Sequence, residues 1–307
     1  METQNLLTPV LFVLFNRPEP TRKVFEVIRE VKPAKLYVAV DGPRADKVGE
    51  AEKVAAVRDI VKQVDWECDV QTLFRDQNLG CKVAVSEAIS WFFGQEAEGI
   101  ILEDDCLPEP SFFFFCEEML RRYRDDERVM HISGDNFQAG QRRGEASYYF
   151  SKYAHIWGWA TWKRVWEKYD VTVQDLPEFT RTNQIANVFS DVAEQRFWLN
   201  NFELVHQNRL DTWDFQHIFN IVRNNGLCVM PNVNLVSNIG FAPDATHTTG
   251  VDTKVANLPT QPMTMPLQHP KFVLADAAAD SFTAKHIFGI SNSKPSLLTR
   301  FYGKLFQ

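Results

Sequence analysis

Three consecutive acidic residues, Glu103, Asp104 and Asp105, directly follow the apolar run from Ile100 to Leu102. A short, β-branched apolar run is typical of a strand buried on both faces. Open α/β sheets bind their ligands at the carboxyl ends of such strands. Adjacent carboxylates repel one another and are costly to desolvate, and a divalent cation relieves that repulsion. The motif therefore predicts a site for Mn²⁺ or Mg²⁺ with a diphosphate, and a solvated acidic turn is the alternative.

Polar residues also follow the other strands predicted in the first half of the chain. Because the carboxyl ends of parallel strands meet at one edge of a sheet, we expect these residues to bind a nucleotide diphosphate and its metal together. Neither GxGxxG nor GxxxxGK[ST] occurs, so side chains and metal would have to neutralise the phosphates. Taken singly, Asp41 is also explained by a turn and Arg75 by a surface charge. The predicted set is Asn16, Arg17, Asp41, Arg75, Asn78 and Lys82.

A tryptophan-rich segment opens the second half of the chain. Its first three residues are predicted either to line a sugar pocket with aromatic faces or to join the core: Trp157, Gly158 and Trp159. Trp162 and Trp166 are four residues apart, which favours one face of a packed helix. Further on, Asp214 lies at the start of a predicted helix. There it either favours the helix dipole or acts as a general base beside the sugar.

Strands and helices alternate in the first 150 residues. Strands are predicted over residues 10–15, 35–40, 70–74, 100–102 and 129–133, and helices over 21–31, 50–64, 80–93 and 111–123. This alternation predicts an α/β fold with a mostly parallel sheet and helices on both faces. Later, helices are predicted over 161–168 and 192–224, short strands over 227–230 and 232–236, and a loop or lid over 240–279.

The composition limits the classes of function. The net charge of −7 argues against nonspecific nucleic-acid binding, which needs clustered Lys and Arg. Five cysteines without metal-ligand spacing, and a polar start without a basic signal-peptide region, favour a reducing cytoplasm. The last 27 residues contain no acid and four basic residues, Lys285, Lys294, Arg300 and Lys304. They predict either an amphipathic helix on an anionic inner-membrane surface or a helix packed on the catalytic domain.

The motifs, in this order, resemble the GT-A glycosyltransferases, and within them N-acetylglucosaminyltransferase I and its bacterial relatives. The matching stretches are residues 12–18, 38–43, 102–114, 155–162, 212–216 and 231–241. The resemblance implies a Rossmann-like nucleotide-diphospho-sugar transferase fold. It also implies metal-dependent, inverting transfer from a UDP-sugar to a glycan or lipid-linked acceptor, plausible in bacterial surface polysaccharide synthesis. Residues 1–245 would form the catalytic domain, with a nucleotide-sugar half (1–150) and an acceptor half (151–245), and residues 246–307 the lid loop and tail.

The resemblance also assigns roles to the acidic residues and their neighbours. Asp105 would be the main metal ligand. Asp214 would be the catalytic base, whereas its position at a helix start, taken alone, favours the helix-dipole role. His247, in the loop after residue 241, either reaches the metal or diphosphate or is solvated. The implied donor contacts are Asp41 with the base, Arg17 with the base or phosphates, Asp104 with ribose, and Glu103 with the sugar or the metal's water shell.

Two other classes of function remain open at this point. A sugar nucleotidyltransferase would be expected to carry a glycine-rich loop with a basic residue near the amino terminus, and residues 16–20 are not such a loop. A non-catalytic carbohydrate-binding protein on the same fold would not need Asp105 and Asp214. The last 60 residues match no part of the family, so the resemblance does not identify the acceptor.

Overall fold

The computed structural model describes residues 6–241 and 255–290. Strands and helices alternate through the first half, as the hydrophobic patterns predict. The elements are β1 (Val10–Leu14), α1 (Pro18–Val31), β2 (Lys35–Val40), α2 (Glu50–Val61), β3 (Asp69–Phe74), α3 (Gly80–Phe93), β4 (Glu98–Glu103), β5 (Cys106–Pro108), α4 (Ser111–Tyr123) and β6 (Val129–Ser133). Strands β2 and β6 and helices α3 and α4 have the bounds predicted from sequence.

The second half contributes further strands and most of the short helices. Its elements are β7 (Tyr148–Ser151), β8 (Trp159–Trp162), α5 (Lys163–Trp166), α6 (Leu176–Arg181), α7 (Ile185–Val188), α8 (Val192–His206), α9 (Asp214–Arg223), β9 (Leu227–Pro231), β10 (Val236–Asn238) and α10 (Ala277–His286). Within the predicted loop over 240–279, residues 255–276 contain no helix, but residues 277–279 belong to α10.

Eight strands form one sheet in the order β3-β2-β1-β4-β8-β6-β9-β7. Strands β3, β2, β1 and β4 are parallel, as are β6 and β9, whereas β8 and β7 run antiparallel to their neighbours. The order 3-2-1-4 reverses direction at β1, and right-handed crossovers therefore place α1 and α2 on one face and α3 on the other. The expected α/β fold with a mostly parallel sheet is confirmed.

The register of the central strands brings the acidic motif to the sheet edge. All five residues of β1 are buried, and β1 pairs with β4 so that Val13 lies opposite Glu103. Glu103 is the last residue of β4, and the chain then turns into β5. Strand β5 leaves the main sheet and pairs antiparallel with β10, with Asn238 opposite Cys106. This small second sheet holds Asp104 and Asp105 at the carboxyl end of β4.

The structure corrects several predictions about the second half. The strand predicted over 232–236 does not form, because residues 232–235 are a loop and β10 begins at Val236. Residues 161–168 do not form one helix, because Trp159–Trp162 forms β8 and pairs with both β4 and β6, leaving only the short α5. The helical stretch predicted over 192–224 consists of two helices, α8 and α9, and the second begins at Asp214 as predicted. Asn208 has a φ of 56° after α8, a conformation that ends a helix and that asparagine tolerates.

Other predictions concern residues outside the described ranges. These are most of the proposed lid, His247 and the basic residues Lys294, Arg300 and Lys304. The division into two halves stays a prediction, and the main sheet takes strands from both of them. All five cysteines are free. Among the described helices, none is long and apolar enough to cross a membrane.

Candidate functional site

A cavity of about 390 Å³ lies at the carboxyl ends of β1, β2 and β4. Ligand pockets typically have volumes of about 300–1,000 Å³. The cavity brings together residues far apart in sequence, because several strands end at this edge of the sheet and α9 begins there. Nine predicted site residues line it: Arg17, Asp41, Arg75, Asn78, Glu103, Asp104, Asp105, Trp157 and Asp214.

Arg17, which precedes α1, is the cation of the acidic motif. Its Nη1 lies 3.0 Å from Asp105 Oδ2, its Nε donates to Asp104 Oδ2 at 3.2 Å, and its Nη2 contacts Asp104 Oδ1. Burial opposes the charge on Arg17, but the two carboxylates outweigh burial and raise its pKa. Burial, followed by repulsion from Asp105 and Asp104, raises the pKa of Glu103 to about 8. The single guanidinium thus leaves the motif with unfavourable negative charge.

The surroundings of Asp105 fit a divalent cation. A Cβ at Gly240 would lie 2.0 Å from Asp105 Oδ2 and 2.8 Å from Arg17 Nη1, so only glycine leaves room there. The Ile239 N–H donates to the Asp105 carbonyl at 2.8 Å and fixes that approach. Among the described residues, no group of three His, Cys, Asp or Glu side chains could hold a metal ion alone. The donor set therefore suits Mg²⁺ or Mn²⁺ shared with substrate phosphates, for which one or two carboxylates suffice.

Asp41 is already fully hydrogen-bonded within the chain. It accepts from Asn78 Nδ2 at 2.8 Å, from the Leu79 N–H at 3.1 Å and from the Gly42 N–H at 2.9 Å. Burial raises its pKa, and the Leu79 and Gly42 N–H groups oppose that rise. Asp41 therefore lies in the cavity wall as predicted, and it also braces the turn after β3.

Four of the predicted donor contacts lie away from the cavity lining. Asn16 donates to Glu50 Oε1 at 2.8 Å, and Lys82 donates from Nζ to Asn208 Oδ1 at 3.0 Å on the surface. Gly158 has a φ of 71°, and a Cβ there would lie 2.7 Å from Val236 Cγ2. Trp159 is fully buried in β8. These positions favour structural roles, because each side chain already has a partner or packs in the core.

Asp214 begins α9 and is 1% exposed, although it lines the cavity. The Thr212 hydroxyl donates to Asp214 Oδ1, and Oδ2 has no hydrogen-bond partner among the described residues. Burial raises the pKa of Asp214 to about 6, while the Thr212 hydroxyl and the Phe215 N–H oppose the rise. A buried carboxylate oxygen that lacks a donor, with a pKa just below neutrality, is suited to accept a proton.

Part of the cavity lining is aromatic, and Phe241 in it was not predicted. The rings of Trp157 and Phe241 meet edge to face with centroids 5.6 Å apart, and the Trp157 N–H donates to Asp135 Oδ2 at 3.0 Å. Sequence reasoning also missed Asp211 and Cys81, which line the cavity. Asp211 lies three residues before Asp214, in the loop that leads into α9, and this proximity to Asp214 was the available signal.

No protein-family model matches this chain, and no curated protein matches it. Among solved structures, HddC from Yersinia pseudotuberculosis matches with 10% identity and a TM-score of 0.33, covering 53% of this chain and 80% of its own. A UDP-glucose pyrophosphorylase in complex with UDP-glucose matches with 10% identity and a TM-score of 0.32, covering 53% of this chain and 78% of its own. The 4-diphosphocytidyl-2C-methyl-D-erythritol synthase of Anaerococcus prevotii matches with 9% identity and a TM-score of 0.32, covering 57% of this chain and 84% of its own.

These likenesses are too distant to carry an argument about activity. None of the three proteins is described as a glycosyltransferase, and the resemblance to N-acetylglucosaminyltransferase I stays a prediction.

Proposed function

We propose that this protein is a metal-dependent, inverting glycosyltransferase that uses a nucleotide-diphospho-sugar, most simply a UDP-sugar. The acceptor would be a hydroxyl of a glycan or lipid-linked glycan. The observation that carries the proposal is that one cavity contains both the Arg17-paired acidic motif and Asp214 with an unpartnered oxygen. The first suits a diphosphate with its cation, and the second suits a hydroxyl that must lose its proton.

The donor end of the cavity would bind the diphosphate. Asp105 would hold the metal, with Asp104 and Glu103 beside it, and the absence of a side chain at Gly240 lets the backbone there lie directly against Asp105. When bound, the metal supplies Lewis-acid stabilisation of the charge on the departing diphosphate. Arg17 lies within reach of the same charge, and a guanidinium binds phosphate oxygens through paired hydrogen bonds.

The acceptor end would contain the base. Asp214 Oδ2 accepts the proton of the acceptor hydroxyl while that oxygen bonds to the anomeric carbon of the donor. The bond from that carbon to the diphosphate oxygen breaks, and the nucleoside diphosphate leaves. One displacement inverts the configuration at the anomeric carbon. A positioned general base typically contributes about 10²–10⁴-fold to the rate.

Sugar nucleotidyl transfer, which the sequence leaves open, is the second candidate, and a UDP-glucose pyrophosphorylase is among the matched structures. The likeness adds no weight at that TM-score, and the turn between β1 and α1 is short and carries no glycine, since residues 15–17 are Phe, Asn and Arg. A non-catalytic sugar-binding protein is the third. It gives no reason for a buried carboxylate oxygen that lacks a donor among the described residues, an arrangement that is costly unless it is used.

Calorimetry with UDP tests the donor end of the proposal. We expect binding in Mn²⁺, none in chelator, and loss of the Mn²⁺-dependent binding in Asp105→Ala. The control is Asp59→Ala, which removes an exposed carboxylate on α2 that pairs only with Lys62. Tight UDP binding in chelator, or by Asp105→Ala with Mn²⁺, would contradict the proposal.

A further inference from the structure

The segment before α9 holds the carboxylate of Asp214 in one orientation. The Thr212 hydroxyl donates to Oδ1, and Oδ2 has no partner among the described residues. Both side chains line the cavity, and they are 2% and 1% exposed. Bulk water therefore has little access to either group, and the Thr212 hydroxyl is the side-chain donor that fixes which oxygen is left for an acceptor.

The backbone of this segment is braced from two other elements. Gln216 Nε2 donates to the Thr212 carbonyl at 2.6 Å, and the Tyr169 hydroxyl donates to the Trp213 carbonyl at 3.2 Å. Trp213 also stacks on Trp159, with centroids 5.5 Å apart and an interplanar angle of 17°. These contacts fix the backbone of residues 212 and 213, and with it the position of the Thr212 Cα beside the carboxylate.

We propose that Thr212 is a positioning residue, whose hydroxyl holds Asp214 with Oδ1 occupied so that Oδ2 alone receives the acceptor proton. This inference rests on the proposed role of Asp214 as the base. A carboxylate without such a donor rotates about its terminal torsion, which is broad in aspartate. A donor to one oxygen removes that freedom before the acceptor arrives, which is how side-chain positioning lowers a barrier.

The same hydrogen bond keeps Asp214 ionised near neutral pH. Burial raises the pKa of Asp214, and the Thr212 hydroxyl is the largest opposing influence. The other ionisable groups around Asp214 do not replace it. Glu103 of β4, Cys81 of α3 and Tyr169 after α5 are acids, and burial lowers the pKa of His217 in α9 so that it is neutral.

The test compares Thr212→Val, which keeps the shape but removes the hydroxyl, with Thr212→Ser, which keeps the hydroxyl. The titration of Asp214 is measured in the full chain by infrared difference spectroscopy against Asp214→Asn. We expect Thr212→Val to raise the midpoint by about one to two pKa units, because a hydrogen bond to a charged group is lost. Thr212→Ser should titrate as the unmodified protein does.

The second readout is UDP release from UDP-sugars with Mn²⁺ as a function of pH. In Thr212→Val the acid limb of the rate–pH profile should shift to higher pH by as many units as the titration midpoint, and the KM for the donor should not change. Thr212→Ser should show the profile of the unmodified protein. An unchanged titration midpoint in Thr212→Val overturns the inference. A shifted midpoint with an unchanged rate profile instead overturns the role of Asp214 as base, and with it the proposed function. If Thr212→Val does not fold, Thr212→Ala is measured in its place.

Discussion

Replacing Asp214 by asparagine is expected to stabilise the protein near neutral pH while it abolishes turnover. Burial raises the pKa of Asp214 from 3.8 to about 6 in the folded state. The folded state therefore binds the proton more tightly than the unfolded state, and stability falls as pH rises through that interval. The destabilisation is absent below about pH 4 and complete above about pH 6. A difference of about two units corresponds to about 3 kcal/mol.

The assay is unfolding of the unmodified protein and Asp214→Asn between pH 5 and pH 7.5. At pH 5, about half of the pH-dependent destabilisation caused by ionised Asp214 has developed. The stability advantage of Asp214→Asn should therefore grow by about 1–1.5 kcal/mol between pH 5 and pH 7.5. That growth corresponds to a Tm difference of about 2–6 °C. The rate of UDP release should fall about 10²–10⁴-fold.

Asp59→Asn is the matched control, because it makes the same side-chain change at an exposed site on α2. A stability difference for Asp214→Asn that does not vary with pH would refute the buried, raised-pKa carboxylate. Near-normal turnover would leave Asp214 as a residue that only favours the helix dipole.

Three further predictions concern the rest of the cavity. Arg17→Met should weaken Mn²⁺-dependent UDP binding at least about tenfold, measured by calorimetry. It should also lower the free energy of unfolding by about 3–5 kcal/mol in denaturant, as breaking a buried ion pair does. An unchanged affinity for UDP would refute the role of Arg17. Gly240→Ala should abolish UDP binding, because its Cβ would collide with Asp105. Gly94→Ala, whose Cβ would come no closer than 3.2 Å to another atom, should bind UDP normally. Equal UDP binding by the two variants would contradict the role given to Gly240. Trp157→Ala should weaken binding of a UDP-sugar more than binding of UDP, whereas Trp159→Ala should lower the free energy of unfolding by about 3–5 kcal/mol. If Trp157→Ala lowers only stability and Trp159→Ala weakens binding of the UDP-sugar, the sugar does not lie beside Trp157.

The first half of the fold follows closely from the sequence. Strands such as β1 and β2 are continuous apolar runs, and α1 shows apolar residues at helical spacing, so burial alone specifies them. The carboxyl ends of these strands then determine most of the cavity. This is why Arg17, Asp41 and the acidic motif were found without knowledge of the fold.

The second half follows less well because packing decides its structure. Trp162 and Trp166 have helical spacing, yet Trp162 ends β8, since pairing with β4 and β6 satisfies the backbone of residues 159–162. The same pairing buries Trp159 in the core and leaves Trp157 in the cavity wall. Asp211 and Phe241 reach the cavity from loops, which carry no periodic signal.

Product analysis by ³¹P NMR tests the central claim most directly. The protein is incubated with Mn²⁺ and a panel of nucleotide-diphospho-sugars, in one series with water and glycan hydroxyls as acceptors and in another with added pyrophosphate. The proposed reaction predicts that a nucleoside diphosphate accumulates in the first series, that pyrophosphate is not consumed in the second, and that Asp214→Asn loses the activity. Formation of a nucleoside triphosphate and a sugar 1-phosphate, with consumption of pyrophosphate, would contradict the account and establish nucleotidyl transfer instead.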